Sequence, residues 1–215
     1  IDGTVTSVVT LAVVDITSDD NFDAVADKTV SVDTTDDDVA GFTIVELDGA
    51  TEVDESGSTD TFTIVLDAQP TNDVVVLATA SNDETEAIVS GSITFTSENW
   101  DTPQTVTVTG VDDDLVDGDQ TYDITISIVD TISDDDFDGV ADQSVSSTTL
   151  DDDSPGFTIE ETDAATEVDE SGSTDTFTVV LDAQPTSDVV LTITSDDTGE
   201  ATVPASVTFT AANWD

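Results

Sequence analysis

Cysteine, methionine, histidine and arginine are absent from this 215-residue chain, and its one basic side chain is Lys28. Each absence closes off a class of chemistry. Without cysteine no disulfide can staple the fold, and thiols say nothing about a redox compartment. Without His, Cys or Arg there is no ready base, nucleophile or anion clamp, and no glycine-rich loop of phosphate-cradling form occurs. Asp197-Thr198-Gly199 matches the aspartic-protease tripeptide, but the corresponding stretch of an earlier repeat reads Asp83-Glu84-Thr85, so the match is fortuitous and no enzyme is expected. No apolar run approaches the ~20 residues of a membrane-spanning helix, and no signal peptide is evident. With no Asn-x-Ser/Thr sequon, N-glycosylation is not expected. The lack of methionine, even at position 1, suggests a window of a longer polypeptide.

What the chain has instead is carboxylate. Asp and Glu number 51, with 40 Asp to 11 Glu, for a formal net charge of −50. Unit charges ~4 Å apart repel by about 1 kcal/mol even at the dielectric of bulk water. Positive charge must therefore come from outside, as bound cations, concentrated salt or a basic partner. Nucleic acid and anionic membrane surfaces, themselves negative, are excluded as electrostatic partners. A merely salt-adapted surface would scatter its carboxylates, whereas many of these aspartates stand in tight clusters. Clustering favours metal. Val, Ile and Thr are plentiful, so the composition is that of a folded protein rather than an acidic disordered tail.

Self-similarity then sets the frame. GFTIVELDGATEVDESGSTDTFTIVLDAQP (41–70) returns as GFTIEETDAATEVDESGSTDTFTVVLDAQP (156–185), SDDNFDAVAD (18–27) as SDDDFDGVAD (133–142), and Asp36-Asp37-Asp38 as Asp151-Asp152-Asp153. The period is about 115 residues. It divides the chain into the tail of one repeat (1–40), a whole repeat (41–155) and the front of a third (156–215).

Within a repeat the apolar period is two. Tyr122, Ile124, Ile126 and Ile128 alternate with Asp123, Thr125 and Ser127, as do Phe62, Ile64 and Leu66 with their neighbours, which is the pattern of half-buried strands. Further strands are expected at 42–46, 73–80, 92–96, 104–110 and 143–150, and no segment sustains a helical period. Seven or so short strands separated by Asp, Gly, Ser and Pro turns predict an all-β fold, an antiparallel β-sandwich, with Trp100 and Tyr122 packed in its core.

The run VTVTGVDDDLVDGDQTYDITI (106–126), the segments TFTVVLDAQPTSDV and NWDTPQTVTVTGVDDD, and the terminal triplet 151–153 resemble the Calx-β domain. They are closer still to the Calx-β-like repeats of giant bacterial surface adhesins, and the resemblance covers nearly the whole chain. It implies tandem immunoglobulin-like sandwiches that bind calcium at one end, beside the junction with the neighbouring repeat. It also implies that three sequence-distant pieces converge there: Glu55 in the loop VDESGS, the loop Asp112, Asp113 and Asp117, and the triplet Asp151, Asp152 and Asp153. Where the family usually carries glutamates after the first triplet, this chain has Asp117 and Gln120. Asp36, Asp37, Asp38 and Glu170 are counterparts of these positions in the flanking repeats.

A second candidate site stands on spacing alone. Asp134, Asp136 and Asp138 occupy positions 1, 3 and 5 of a DxDxDG loop, with Val140 at position 7 for a backbone carbonyl and Asp142 at position 9. Asp19, Asn21, Asp23, Val25 and Asp27 repeat the frame one period earlier. Position 12 is Val145 rather than glutamate, so the loop is not an EF-hand. Together these features lead to an expectation: a calcium-stiffened structural repeat of an extracellular bacterial surface protein, with several Ca²⁺ per repeat and neighbouring copies as partners. The alternatives from other classes are a filament subunit joined to other chains by strand complementation, and a calcium-sensing regulatory module.

Overall fold

The computed structural model describes residues 1–215 apart from 15, 48 and 82–84. Strands follow one another as β1 (Val5–Leu11), β2 (Lys28–Thr34), β3 (Phe42–Glu46), β4 (Thr51–Asp54), β5 (Thr59–Leu66), β6 (Val74–Ala80), β7 (Ala87–Val89) and β8 (Ser92–Phe95). They continue as β9 (Gln104–Gly110), β10 (Gln120–Ile128), β11 (Gln143–Leu150), β12 (Phe157–Glu161), β13 (Phe177–Leu181), β14 (Val189–Thr192) and β15 (Ser206–Phe209). Among the described residues the helical segments are single 3-10 turns, as at Asp135–Phe137. The fold is all-β.

Strands β3 to β11 build a two-sheet sandwich, one sheet ordered β4-β11-β10-β6-β8 and the other β3-β5-β9-β7. Period-two alternation explains why it closes. Phe62, Ile64 and Leu66 of β5 and Val106 and Val108 of β9 face inward from one sheet, and Val74 and Val76 of β6 and Ile124 and Ile126 of β10 from the other; all are buried. Tyr122 is buried with them, and Trp100 packs partly buried against the same cluster from the 96–102 turn. The strands expected around 42–46, 73–80, 92–96, 104–110 and 143–150 lie within a residue or so of their expected bounds. Two strands of the sandwich are not among those expected: β7 has three residues, and the four of β4 carry a single aliphatic side chain, Val53, too few for a period to declare itself.

β4 departs from the otherwise antiparallel pairing in a way that places function. It runs parallel to β11, with Asp54 opposite Leu150, and the Glu55 amide donates to the Leu150 carbonyl at 3.2 Å. Parallel neighbours end at the same edge, so Glu55 leaves β4 where the 151–153 triplet leaves β11. At that edge the Gly110 end of β9 meets Ala87 of β7, and the Val111 amide donates to the Glu86 carbonyl at 2.9 Å.

The flanking segments repeat the pairing rules of the sandwich residue for residue. β1–β2 aligns Val5 with Thr34 as β10–β11 aligns Gln120 with Thr149. β12–β13 aligns Phe157 with Leu181 as β3–β5 aligns Phe42 with Leu66, and β14–β15 aligns Val189 with Phe209 as β6–β8 aligns Val74 with Phe95.

Candidate metal centre

Four segments deliver carboxylates to one end of the sandwich. Glu55 arrives from β4, whose inward positions are Thr51 and Val53, and Glu55 takes the next inward place with 1% of its surface exposed. A carboxylate so enclosed requires a proton or a counter-charge. Glu55, Asp113 and Asp153 each offer an oxygen, and these three oxygens lie within 4.8 Å of one another. Asp113 and Asp153 are half-buried, while Asp112, Asp114 and Asp152 between or beside them are exposed. The aspartate triplets therefore alternate, one face toward the cluster and the other toward solvent.

Among the described residues, three oxygens at this end are buried without a hydrogen-bond partner: Glu55 Oε2, Glu86 Oε2 and Asp153 Oδ2. Glu86 stands beside the cluster as an electrostatic neighbour of Glu55 and Asp113, outside the group of three drawn-together oxygens, and is not among the sequence candidates. It precedes the three-residue β7, and its only sequence signal was the recurrence of Glu86-Ala87 as Glu200-Ala201. Behind it, Thr149 Oγ1 lies 3.2 Å from the Glu86 carbonyl and 3.3 Å from the Tyr122 hydroxyl, tying this segment to the core.

Electrostatics agrees with geometry. Burial, then the charges of Asp113, Asp151, Asp117 and Glu86, push Glu55 up to about 7 from an ordinary 4.5. Burial with Asp117 and Asp113 raises Glu86, and burial with Asp114, Asp151, Asp152 and Asp113 raises Asp153. Crowded carboxylates that repel one another hold protons more tightly than they would alone. A cation placed among them would reverse each of these shifts. Lys28 supplies no such charge, since it lies exposed at the start of β2, in another sheet.

Asp151 has a different task within the same end. Its Oδ2 accepts from the Gly118 amide at 2.6 Å and its Oδ1 from the Asp153 amide at 2.8 Å, fastening the 111–119 loop to the outgoing linker. Asp36 repeats this clamp one period earlier, accepting from the amides of Asp2, Gly3 and Asp38. Asp112, Asp117, Asp37, Asp38 and Glu170 are exposed, and among the described residues they belong to no three-carboxylate group with ligand oxygens drawn together. Gly110 permits the close approach on which Glu55 depends, for a Cβ there would overlap the Asp54 carbonyl.

The DxDxDG loop folds to another purpose. Asp134 is buried, and its Oδ2 accepts from the Thr71 amide and the Asn72 amide, both at 2.7 Å, and from Thr71 Oγ1 at 2.8 Å. Its Oδ1 accepts from the Asp136 amide at 3.1 Å. Burial raises the pKa of Asp134, but the hydrogen bonds from Asn72, Thr71 and Asp136 outweigh it and hold the group below its ordinary value. Phe137 is fully buried and Val140 packs on the core, so this segment is a staple of the sandwich. Asp136, Asp138 and Asp142 are exposed, desolvation and the charges of Asp130, Asp135 and Asp134 raise the pKa of Asp138, and Gly139 does not adopt the left-handed turn of a calcium loop. Among the described residues these carboxylates form no group of three with ligand oxygens drawn together. In the earlier copy Asp19 Oδ1 accepts from the amide and side chain of Asn21, while Asp23, Val25 and Asp27 are exposed.

The Asp197 carboxylate accepts from the Gly199 amide in an exposed turn, whereas Asp83 and Glu84 of the compared stretch lie outside the described residues.

No family model matches the chain, and no curated protein is similar to it. Among solved structures, the apo form of the Calx CBD1 domain is similar with a TM-score of 0.40 and 16% identity, covering 54% of this chain and 99% of that one. The E. coli chaperone DraB is similar with a TM-score of 0.36 and 10% identity, covering 70% of this chain and 90% of its own. Likenesses this distant carry no argument about the site, which rests on its own geometry.

Proposed function

We propose that the chain is a calcium-stiffened structural repeat of a large extracellular surface protein, and that its work is to extend and rigidify that protein. One observation carries the reading. Carboxylate oxygens of Glu55, Asp113 and Asp153 lie within 4.8 Å of one another where the linker leaves the sandwich, Glu55 and Asp153 each keep a buried oxygen with no hydrogen-bond partner among the described residues, and the chain has a single basic side chain. Carboxylate and carbonyl oxygens in a partly open loop cluster suit Ca²⁺, which takes six to eight oxygens at ~2.3–2.6 Å in flexible geometry. Glu55, Asp113 and Asp153 would hold the ion, Glu86 would add negative charge beside it, and Asp151 would keep the loop and linker in place around it.

The ion supplies charge neutralisation and a cross-link between β4, the 111–119 loop and the linker at 151–155. No catalytic step is implied. Long arrays of near-identical copies suit a stalk better than a sensor, because stiffness accumulates along an array while sensing needs one site. Extracellular modules bind calcium with Kd of about 10⁻⁴–10⁻³ M, so calcium at about ten to a hundred times Kd adds about 1.4–2.7 kcal/mol per site by linkage. Small-angle scattering in millimolar calcium and then in excess chelator tests the mechanical claim. Calcium should lengthen and narrow the distance distribution. Identical curves in the two conditions would rule stiffening out.

A further inference from the structure

The 111–119 loop also carries a feature that the carboxylate cluster does not use. Its tip reaches the following repeat. Leu115 forms a parallel β-bridge with Gln184, whose amide donates to the Asp114 carbonyl at 2.6 Å. Next in the chain, Val116, which keeps 40% of its surface exposed, lines the rim of a cavity of about 520 Å³ together with Pro155, Phe157, Leu181, Ala183 and Pro185.

The corresponding segments also meet one period earlier. Ile1 and Gln69 stand 115 positions before Val116 and Gln184, and the Ile1 amine donates to the Gln69 carbonyl. Ile1 is partly buried and packs, with Ala40, against the core of the β3–β11 sandwich. Both junctions thus set an aliphatic residue of one repeat position beside the apolar end of the following repeat, Ile1 more deeply than Val116. An exposed loop tip would favour polar side chains, yet both copies place a β-branched apolar residue there, immediately before an Asp-Gly pair.

We infer that consecutive repeats interlock through an aliphatic plug. The residue at the Ile1/Val116 position of one repeat inserts into the apolar end of the next, and the Gln69/Gln184 backbone clasps the strand that carries it. Each sandwich is then completed at one end by its predecessor, and its partner surface is another copy of this repeat. Nearest-neighbour interfaces of this kind make an array cooperative, since a unit gains stability from the unit before it. The plug needs no cation, so it and the calcium reading stand or fall separately.

Amide hydrogen exchange on the full chain tests this, with Val116→Asp and the isosteric Val116→Thr compared against the parent in chelator and in calcium. The Gln184 amide should be protected in the parent and lose at least tenfold protection in V116D, with a smaller loss in V116T. Amides of the central core, such as Ile64 and Ile124, should be unchanged, which shows that the variants fold. Ile1→Ser should speed exchange of the β3–β11 core amides severalfold, because there the plug enters that core. A Gln184 amide unprotected in the parent, or protection indifferent to V116D, would overturn the interlock. A V116D effect present in chelator would retain it even if calcium proved inert.

Discussion

Replacing Glu55 by glutamine should change stability in opposite directions with and without calcium. Without a cation, the buried Glu55 carboxylate faces Asp113, Asp151, Asp117 and Glu86, and its pKa rises to about 7 from 4.5. Each unit is worth about 1.4 kcal/mol, and water reaching the half-exposed neighbours screens the total to about 1–2 kcal/mol. The sign follows from the proton. A carboxylate with a raised folded-state pKa costs nothing below about 4.5, costs progressively more as pH rises towards 7, and costs its full amount above. Glu55→Gln removes that cost, so in chelator at pH 7.5 the variant should melt about 4–8 °C higher than the parent. It should also lose much of the parent's decline in stability between pH 5 and 7.5. In 10 mM calcium the parent gains about 1.4–2.7 kcal/mol by linkage, while the variant, lacking a charged ligand, gains little. Circular-dichroism melts of both proteins in both conditions decide the matter. If E55Q melts lower in chelator, or if calcium raises both proteins equally, the reasoning about this cluster is wrong.

Glu86→Gln should weaken calcium binding about tenfold in calorimetric titration, whereas Glu170→Gln, at an exposed position of the third repeat, should leave the titration of the 55/113/153 site unchanged. Gly110→Ala forces the Asp54 carbonyl and the Glu55 backbone aside, so it should cost at least tenfold in calcium affinity, read by the same titration. Asp134→Ala leaves the part-buried amides of Thr71 and Asn72 without their acceptor, which should destabilise the sandwich by about 1–3 kcal/mol equally in calcium and in chelator. Because its pKa lies below 3.8, Asp134 contributes stability above that value and loses it as pH falls further. Chemical denaturation at pH 7 and pH 3 should show a smaller D134A deficit at the lower pH.

The strands were legible wherever apolar side chains alternate over five residues or more, as at Phe62–Leu66 and Tyr122–Ile128. β4 and β7 escaped because the tertiary pairing of Thr51–Asp54 with Ser147–Leu150, and of Ala87–Val89 with Val108–Gly110, makes those segments strands. Local pattern does not. That Glu55, Asp113 and Asp153 come together was readable through motif resemblance, and Glu86 beside them was hidden by the brevity of β7. The DxDxDG loop shows the opposite failure. Its spacing matched a ligand frame, but Phe137 and Val140 are pulled into the core, and Asp134 turns inward to satisfy the Thr71–Asn72 backbone. Spacing along a chain does not reveal which carboxylate the backbone will claim first.

Anomalous diffraction from crystals grown in calcium, or soaked with a lanthanide, addresses the central claim most directly. The account predicts a strong peak among Glu55, Asp113 and Asp153, within bonding distance of the three oxygens drawn together there, and none centred in the 134–142 loop. An empty cluster, or density in that loop instead, would contradict it.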